Sequence, residues 1–325
     1  SLLNPGRDVK LSESRVKGYQ SFTNKIWNAA NFLNLNQCKY NSNFDYKNIK
    51  SSLNKWLINN LFATKINIAK HLKNYAFHEL AHDIYHFVWH QYCDWFIELS
   101  KLSFQNNSKF SEETKNVAIW SFIEILKMTH SIMPFITEEL WNKLSNNDEF
   151  LINQSLSIEN EIKEYSESKK NLDHLIETIS SVRNIRSELN ISYKTLINLE
   201  ISNTNKKIII FFQEFKNEIM SILKINNISF NSNNNSSNID SAHLIIKETT
   251  IIIPLKGIID TKSELDKITN KKNKYLIQLQ NLETKLSDHI FLKKAPSKIV
   301  DQFKEQALNI KSSIEKLDQI INNIS

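Results

Sequence analysis

The sharpest chemical signal in the chain is His78-Glu79-Leu80-Ala81-His82. Histidines four apart share one face of a helix, and a glutamate beside the first can serve as general base on a zinc-bound water. Two more histidines, His86 and His90, follow at the same spacing. The extended zinc-peptidase pattern needs Gly at 85 and His at 88, where this chain has Tyr85 and Val88. Histidines placed one turn apart drift around a helix and do not converge on a tetrahedron. On a wheel of 100° per residue, Phe77, Ala81, Ile84, Val88, Trp95 and Leu99 fall within about 40° of one direction. The histidines and Glu79 fall opposite. The stretch therefore reads as a solvated His-rich face, with a zinc hydrolase as the remote alternative.

Other reactive residue types are sparse. Asp94 and Glu98 are four apart on the same predicted helix, a spacing of structural hydrogen bonds or ion pairs. The two cysteines, Cys38 and Cys93, form no C-x-x-C pair or disulfide framework, which predicts a reducing, cytoplasmic setting. No apolar run approaches the ~18 residues that span a bilayer, and residues 1–20 lack the plan of a signal peptide, so a soluble chain with no membrane partner is expected. The formal charge of +6 is concentrated late: from Lys262 onward there are twelve lysines against eight acids. A cationic end of this kind suits either a phosphate-facing appendage or a Lys-rich coiled coil.

The elements that must position these residues are mostly helical. Three Gly and four Pro in 325 residues leave few tight turns, and the length suits two or three modules. A helix of about two dozen residues follows Ser12, with Phe22, Ile26, Ala29, Ala30 and Leu33 on its apolar face. Helical patterns cover roughly 47–73, 76–103, 111–133, Pro134 to about Leu144, and 171–190. From Thr195 the texture changes to an α+β unit: an alternating "LINLEIS", a helix-like "KIIIFFQEFKNEIMSILKI", and a β-branched "HLIIKETTIIIPL" broken at Glu248-Thr249. The polar tract Asn231 to Asn238 reads as a loop. Heptad spacing then appears at Leu265, Ile268, Tyr275, Leu279, Leu282 and Leu286, and again from Val300 to Ile324. Ala295-Pro296 ends any continuous helix between them, predicting an antiparallel coiled-coil hairpin.

Five blocks, in order along the chain, resemble valyl-tRNA synthetases. "NPGRDVKLSESRVKGYQSFTNKIWNAANFL" (4–33) resembles the G-R-D-[IV]-K and G-Y-x-x-F-x-N-K-[IL]-W-N-A-x-x-F signature. "YAFHELAHDIYHFVWHQYCDWFIELSK" (75–101) resembles the family's Y-x-F-x-E-A…C-D-W-Y-x-E-L-x-K block, in which Glu79 is a family position and His82 incidental. "HSIMPFITEELW" (130–141) matches with Ser131 in place of a usual Pro, "SSVRNIRSELNIS" (180–192) looks like the I-R-x-x-R-x-E block, and "PLKGIIDTKSELDKI" with "KLSDHIFLKKAPSKIVDQ" resembles the start and turn of the family's arm. Sequences resembling HIGH or KMSKS, and an editing domain, are missing.

The resemblance implies a mainly α fold: a class Ia anticodon-binding helical bundle (19–195) after a junction with an absent catalytic core (1–18), a small α+β junction (196–258) and a C-terminal antiparallel coiled-coil hairpin (259–325). It implies a non-catalytic fragment of a valine–tRNA ligase, acting as a monomer in the cytoplasm. Its partners are tRNA(Val) and the catalytic and editing domains of the same polypeptide. ATP and Mg²⁺ belong to the full-length enzyme, and no cofactor to this region. The site residues it implies are Lys25 and Phe32 for the anticodon stem-loop, with Phe32 as stacking platform. Aromatic stacking plus cationic contacts is how single-stranded loops are held. Arg7 and Arg15 could position phosphates or pack against the absent catalytic domain, and Arg183 could contact a phosphate. Arg186 falls in register with Leu172, Leu175, Ile179, Val182 and Leu189, so it needs a partner, read here as a buried Glu or Asp, with tRNA as the alternative. The family's arginine contacts on the arm fall on Asn281 and Gln306, neither cationic, which leaves Lys285, Lys293, Lys294, Lys298 and Lys304 around the turn as substitutes. A helical scaffold that docks a partner protein is the structural alternative.

Overall fold

A computed structural model of the chain describes residues 13–105, 108–145, 148–156, 165–203, 205–231, 241–258, 261–287 and 297–324. The chain divides into two compact units, Ser1–Ile176 and Glu177–Ser325. The division falls inside one helix.

The first unit is helical. Helix α1 (Glu13–Leu35) is followed by a 3₁₀ turn (Tyr46–Asn48) and α2 (Ser52–Lys73). Next come α3 (Phe77–His86), a π-helical segment (Phe87–Phe96) and α4 (Ile97–Ser100), which together form one rod. Then follow α5 (Ser111–Thr129), α6 (Pro134–Leu144) and α7 (Ser166–Glu188), which runs on into the second unit. Pro134 occupies the first turn of α6, where its missing N–H costs nothing. The core contains Ile26 and Leu33 from α1, Leu57, Ile58, Leu61 and Phe62 from α2, and Phe122, Ile123 and Leu126 from α5, all essentially sealed from water.

The π segment explains where the wheel reading of this rod departs from the structure. Its hydrogen bonds close one residue later than those of an α-helix, so each turn holds more residues. Leu80, Ile84, Val88, Tyr92 and Phe96, spaced by four, are all buried. On an α-helix that spacing drifts by about 40° per step. The widened turns keep Val88, Tyr92 and Phe96 facing inward and leave Trp95 only half-buried; Phe77, the first residue of α3 and well before the segment, is exposed. The Tyr92 hydroxyl donates to the Ala118 carbonyl at 2.8 Å and so fixes the rod to α5.

Two carboxylates join helices far apart in sequence. Glu113 accepts from Lys50 N (2.8 Å), Ser51 N (2.9 Å) and Asn54 Nδ2 (2.8 Å), capping the start of α2 from α5. Glu124 pairs with Lys65 Nζ at 2.7 Å and Lys127 Nζ at 2.8 Å. The Lys65 and Glu124 side chains are 3% and 7% exposed.

The second unit holds a four-stranded mixed sheet, ordered β2-β1-β4-β3. Its strands are β1 (Ile197–Asn203), β2 (Ile225–Asn231), β3 (Ser241–Ile246) and β4 (Thr249–Pro254). Ile197, Leu199 and Ile201 alternate inward along β1. β1 pairs antiparallel with β4, setting Ile201 opposite Ile251, and parallel with β2, setting Leu199 opposite Ile228. The parallel pairing requires a crossover, which α8 (Lys206–Glu214) and α9 (Lys216–Leu223) supply. The helix-like reading of 207–225 is thus two helices parted at Phe215, and it hides the start of β2. β3 and β4 form a hairpin turning at Lys247-Glu248, with Lys247 at φ 54°. Most of the tract read as a loop, 232–238, lies outside the described residues.

Helices α10 (Thr261–Ser287) and α11 (Ser297–Ile324) lie antiparallel. Lys272 pairs with Asp318, Lys311 with Glu283 at 2.8 Å, and Lys285 Nζ lies 5.6 Å from the Phe303 ring centre. Ala307, Ile314 and Leu317 are the buried seam of α11.

Candidate nucleic-acid interface

In the first unit the site residues lie along α1. Its buried stripe, Phe22, Ile26, Ala29, Ala30 and Leu33, leaves Lys25 and Phe32 at the border. Lys25 Nζ donates to Asp94 Oδ1 at 2.7 Å and stands 5.0 Å from the centre of the Trp89 ring. Both partners come from the π segment, so the widened turns place the residues that orient Lys25. Phe32 is half-buried and meets Phe104 edge-on, with ring centres 5.4 Å apart.

Aromatic rings that the sequence reading did not single out lie on the same unit. Tyr19 and Trp27 of α1 are exposed, and Lys143 of α6 stands 4.4 Å from the centre of the Trp27 ring. Phe135, directly after Pro134, is 92% exposed. An apolar residue in the first turn of a helix, just after a proline, was the available signal.

Glu79 is held by His71 of α2, whose Nδ1 lies 2.9 Å from Glu79 Oε2 and whose Nε2 lies 3.2 Å from Asp83 Oδ2. The rings of His82 and His86 stack with centres 6.4 Å apart, and His86 and His90 lie 5.4 Å apart. Burial, then its neighbours His90 and His82, lower the pKa of His86. Among the described residues no group of three or more His, Cys, Asp or Glu side chains is arranged to hold a metal ion.

Burial pushes the thiols of Cys38 and Cys93 up to about 12. The thiolate is the nucleophile, so each residue should be alkylated at least about tenfold more slowly than an unperturbed cysteine at pH 8, the higher nucleophilicity of a high-pKa thiolate offsetting part of the lost fraction. Iodoacetamide labelling followed by mass spectrometry reads this, and denaturant should restore ordinary rates to both.

In the second unit Arg183 is exposed on α7, and Lys285 and Lys304 are exposed on α10 and α11. Lys298 lies on α11 and Arg15 on α1, with side chains outside the described set, as are Arg7, Lys293 and Lys294 entirely. Asn281 and Gln306 line one cavity of about 480 Å³ with Gln278, Leu282, Asn309 and Ile310, so the two helices bring together the positions matched to the family's arginines.

Arg186 corrects the expectation of a carboxylate partner. Its Nη1 donates to the Leu223 carbonyl at 2.6 Å, and its Nη2 to the Ser192 and Thr195 carbonyls at 2.6 and 2.7 Å. The chain turns back on itself after α7, which brings the loop before β1 and the end of α9 within reach of one guanidinium. Carbonyl oxygens exposed at those ends satisfy the donors.

Residues 54–202 match the family described as anticodon-binding domain of tRNA ligase. The whole chain is 35% identical to the valine–tRNA ligase of Pelagibacter ubique over 328 residues, covering 100% of this chain and 37% of that protein. The valine–tRNA ligase of Aquifex aeolicus is 30% identical over 97% of this chain and 28% of its own length, and that of Legionella pneumophila strain Lens 32% over 100% and 36%. The chain spans about a third of the length of these relatives.

Proposed function

Because the chain belongs to the valine–tRNA ligase family, we propose that it is the part of such an enzyme that recognises tRNA(Val) rather than the part that makes and breaks bonds. The border of α1 takes the anticodon stem-loop, with Phe32 stacking on a base and Lys25 placed over Trp89 for a phosphate or base edge. The α10–α11 pair acts as a coiled-coil arm against the outer corner of the tRNA, using Lys285, Lys304 and the lysines near the turn. Valine activation with ATP and Mg²⁺, and editing, belong to other portions of the same polypeptide, working in the cytoplasm as a monomer. No helix among the described residues is long and apolar enough to cross a membrane.

The observation that carries this reading is the match of residues 54–202 to an anticodon-binding domain; helix α1, which precedes the matched span, adds a border with an aromatic and a cation seven residues apart. Gel-shift titration of the full chain tests it. Binding of tRNA(Val) should exceed that of an anticodon-altered transcript, and Phe32→Ala should weaken it by about 1–3 kcal/mol, the worth of one stacked base. Each lost lysine contact should lower the slope of log K against log salt by roughly one unit or less. Equal, weak binding to both RNAs would transfer the chain to the scaffold class.

A further inference from the structure

Arg186 is 4% exposed, yet among the described residues its bonds go only to carbonyls and its Nε–H meets no acceptor. Carbonyl dipoles hold a guanidinium in place without cancelling its charge, and a buried charge lacking a counter-charge is costly. Arg186 lines a cavity of about 400 Å³ with Arg183, Ser187, Ile191, Tyr193 and Leu223, all in the second unit. Among the described residues no acidic side chain lines it. Arg183 and Arg186 are three apart on α7, hence neighbours on one face. Tyr193 is 54% exposed, its hydroxyl donates to the Ile222 carbonyl at 3.0 Å, and Arg186 Cζ stands 5.9 Å from its ring centre. The ring is therefore fixed while one part of its surface stays open.

We propose that this cavity is a phosphate-binding pocket whose ligand class is the sugar-phosphate of a nucleotide. Two guanidinium forks suit phosphate oxygens, and the tyrosine ring gives the attached sugar or base a surface to rest on. Five heavy atoms of a phosphate at about 30 Å³ each occupy roughly 150 Å³, so the space admits a ribose as well. The phosphate comes either from an RNA backbone or from a free nucleotide. The proposal stands apart from anticodon recognition, because inorganic phosphate alone probes it.

The test follows the Arg186 Nε–H resonance of the full, ¹⁵N-arginine-labelled chain at constant ionic strength. Probes are inorganic phosphate, uridine 5′-monophosphate and a single-stranded RNA. A saturable shift is expected, with Arg183→Gln weakening binding about tenfold, the loss of one charge-assisted pair. Ser187 is exposed at the rim, so Ser187→Glu should fold, and its carboxylate should take the anion's place, abolishing the shift while raising Tm. A shift with phosphate and the mononucleotide assigns the pocket to free nucleotides, and a shift with RNA alone assigns it to a backbone phosphodiester. No shift with any probe, or a shift that Ser187→Glu leaves intact, overturns the proposal.

Discussion

Replacing Glu124 with alanine is expected to lower the stability of the first unit by about 3–5 kcal/mol. The loss comes less from the missing attraction than from what remains. Lys65 is 3% exposed and would stay charged without a counter-ion, while Lys127 loses its contact on the same carboxylate. Returning the stranded ammonium to water would open the seam between α2 and α5, where Leu61, Phe62 and Phe122 pack. The double variant Lys65→Met with Glu124→Leu removes both charges, and similar apolar volumes should restore most of the stability. Urea unfolding followed by circular dichroism compares the variants. A Glu124→Ala chain within about 1 kcal/mol of wild type would mean that water reaches the pair.

Arg186→Met should produce a loss of similar size, about 3–5 kcal/mol, confined to the second unit, because hydrogen bonds to a charged donor contribute about 1.5–3 kcal/mol each and are not fully additive. One guanidinium gathers the end of α7, the loop leading into β1 and the residue before Lys224, where the chain turns into β2. Without it, three carbonyl acceptors lose their partner and the two parallel strands lose a common anchor. Hydrogen exchange should accelerate at the β1 and β2 amides while those of α2 and α5 keep their protection. Arg186→Lys should rescue little, since an ammonium cannot spread its donors as a planar fork does. Unchanged exchange in β1 and β2 would show that the strands hold themselves.

The helices were legible because their apolar spacing is local. Ile26 and Leu33, or Leu57 and Leu61, announce one buried face by their separation alone. The hairpin of β3 and β4 was legible for the same reason. β2 was not: Asn226 and Asn227 disfavour strands, and only pairing with β1 makes the stretch extended. The partners of Arg186, and the carboxylates of Glu113 and Glu124, depend on chain segments that meet only after folding. Glu124 finds Lys65 across 59 residues, and no periodicity encodes that meeting. In the candidate interface the positions of Lys25 and Phe32 on α1 could be read from a spacing of seven, whereas Asp94 and Trp89 beside Lys25 required the π segment, which an ideal wheel does not contain.

That widened segment also bears on how the chain can change length. Deleting one residue from an ordinary helix swings everything beyond it by about 100° and turns an oily side toward water. Between Phe87 and Phe96 a loosened turn can instead tighten to the commoner pitch, so the excision is absorbed where it occurs. A lineage can therefore shed a single codon there and still keep Leu99 and Ser100 packed within the bundle.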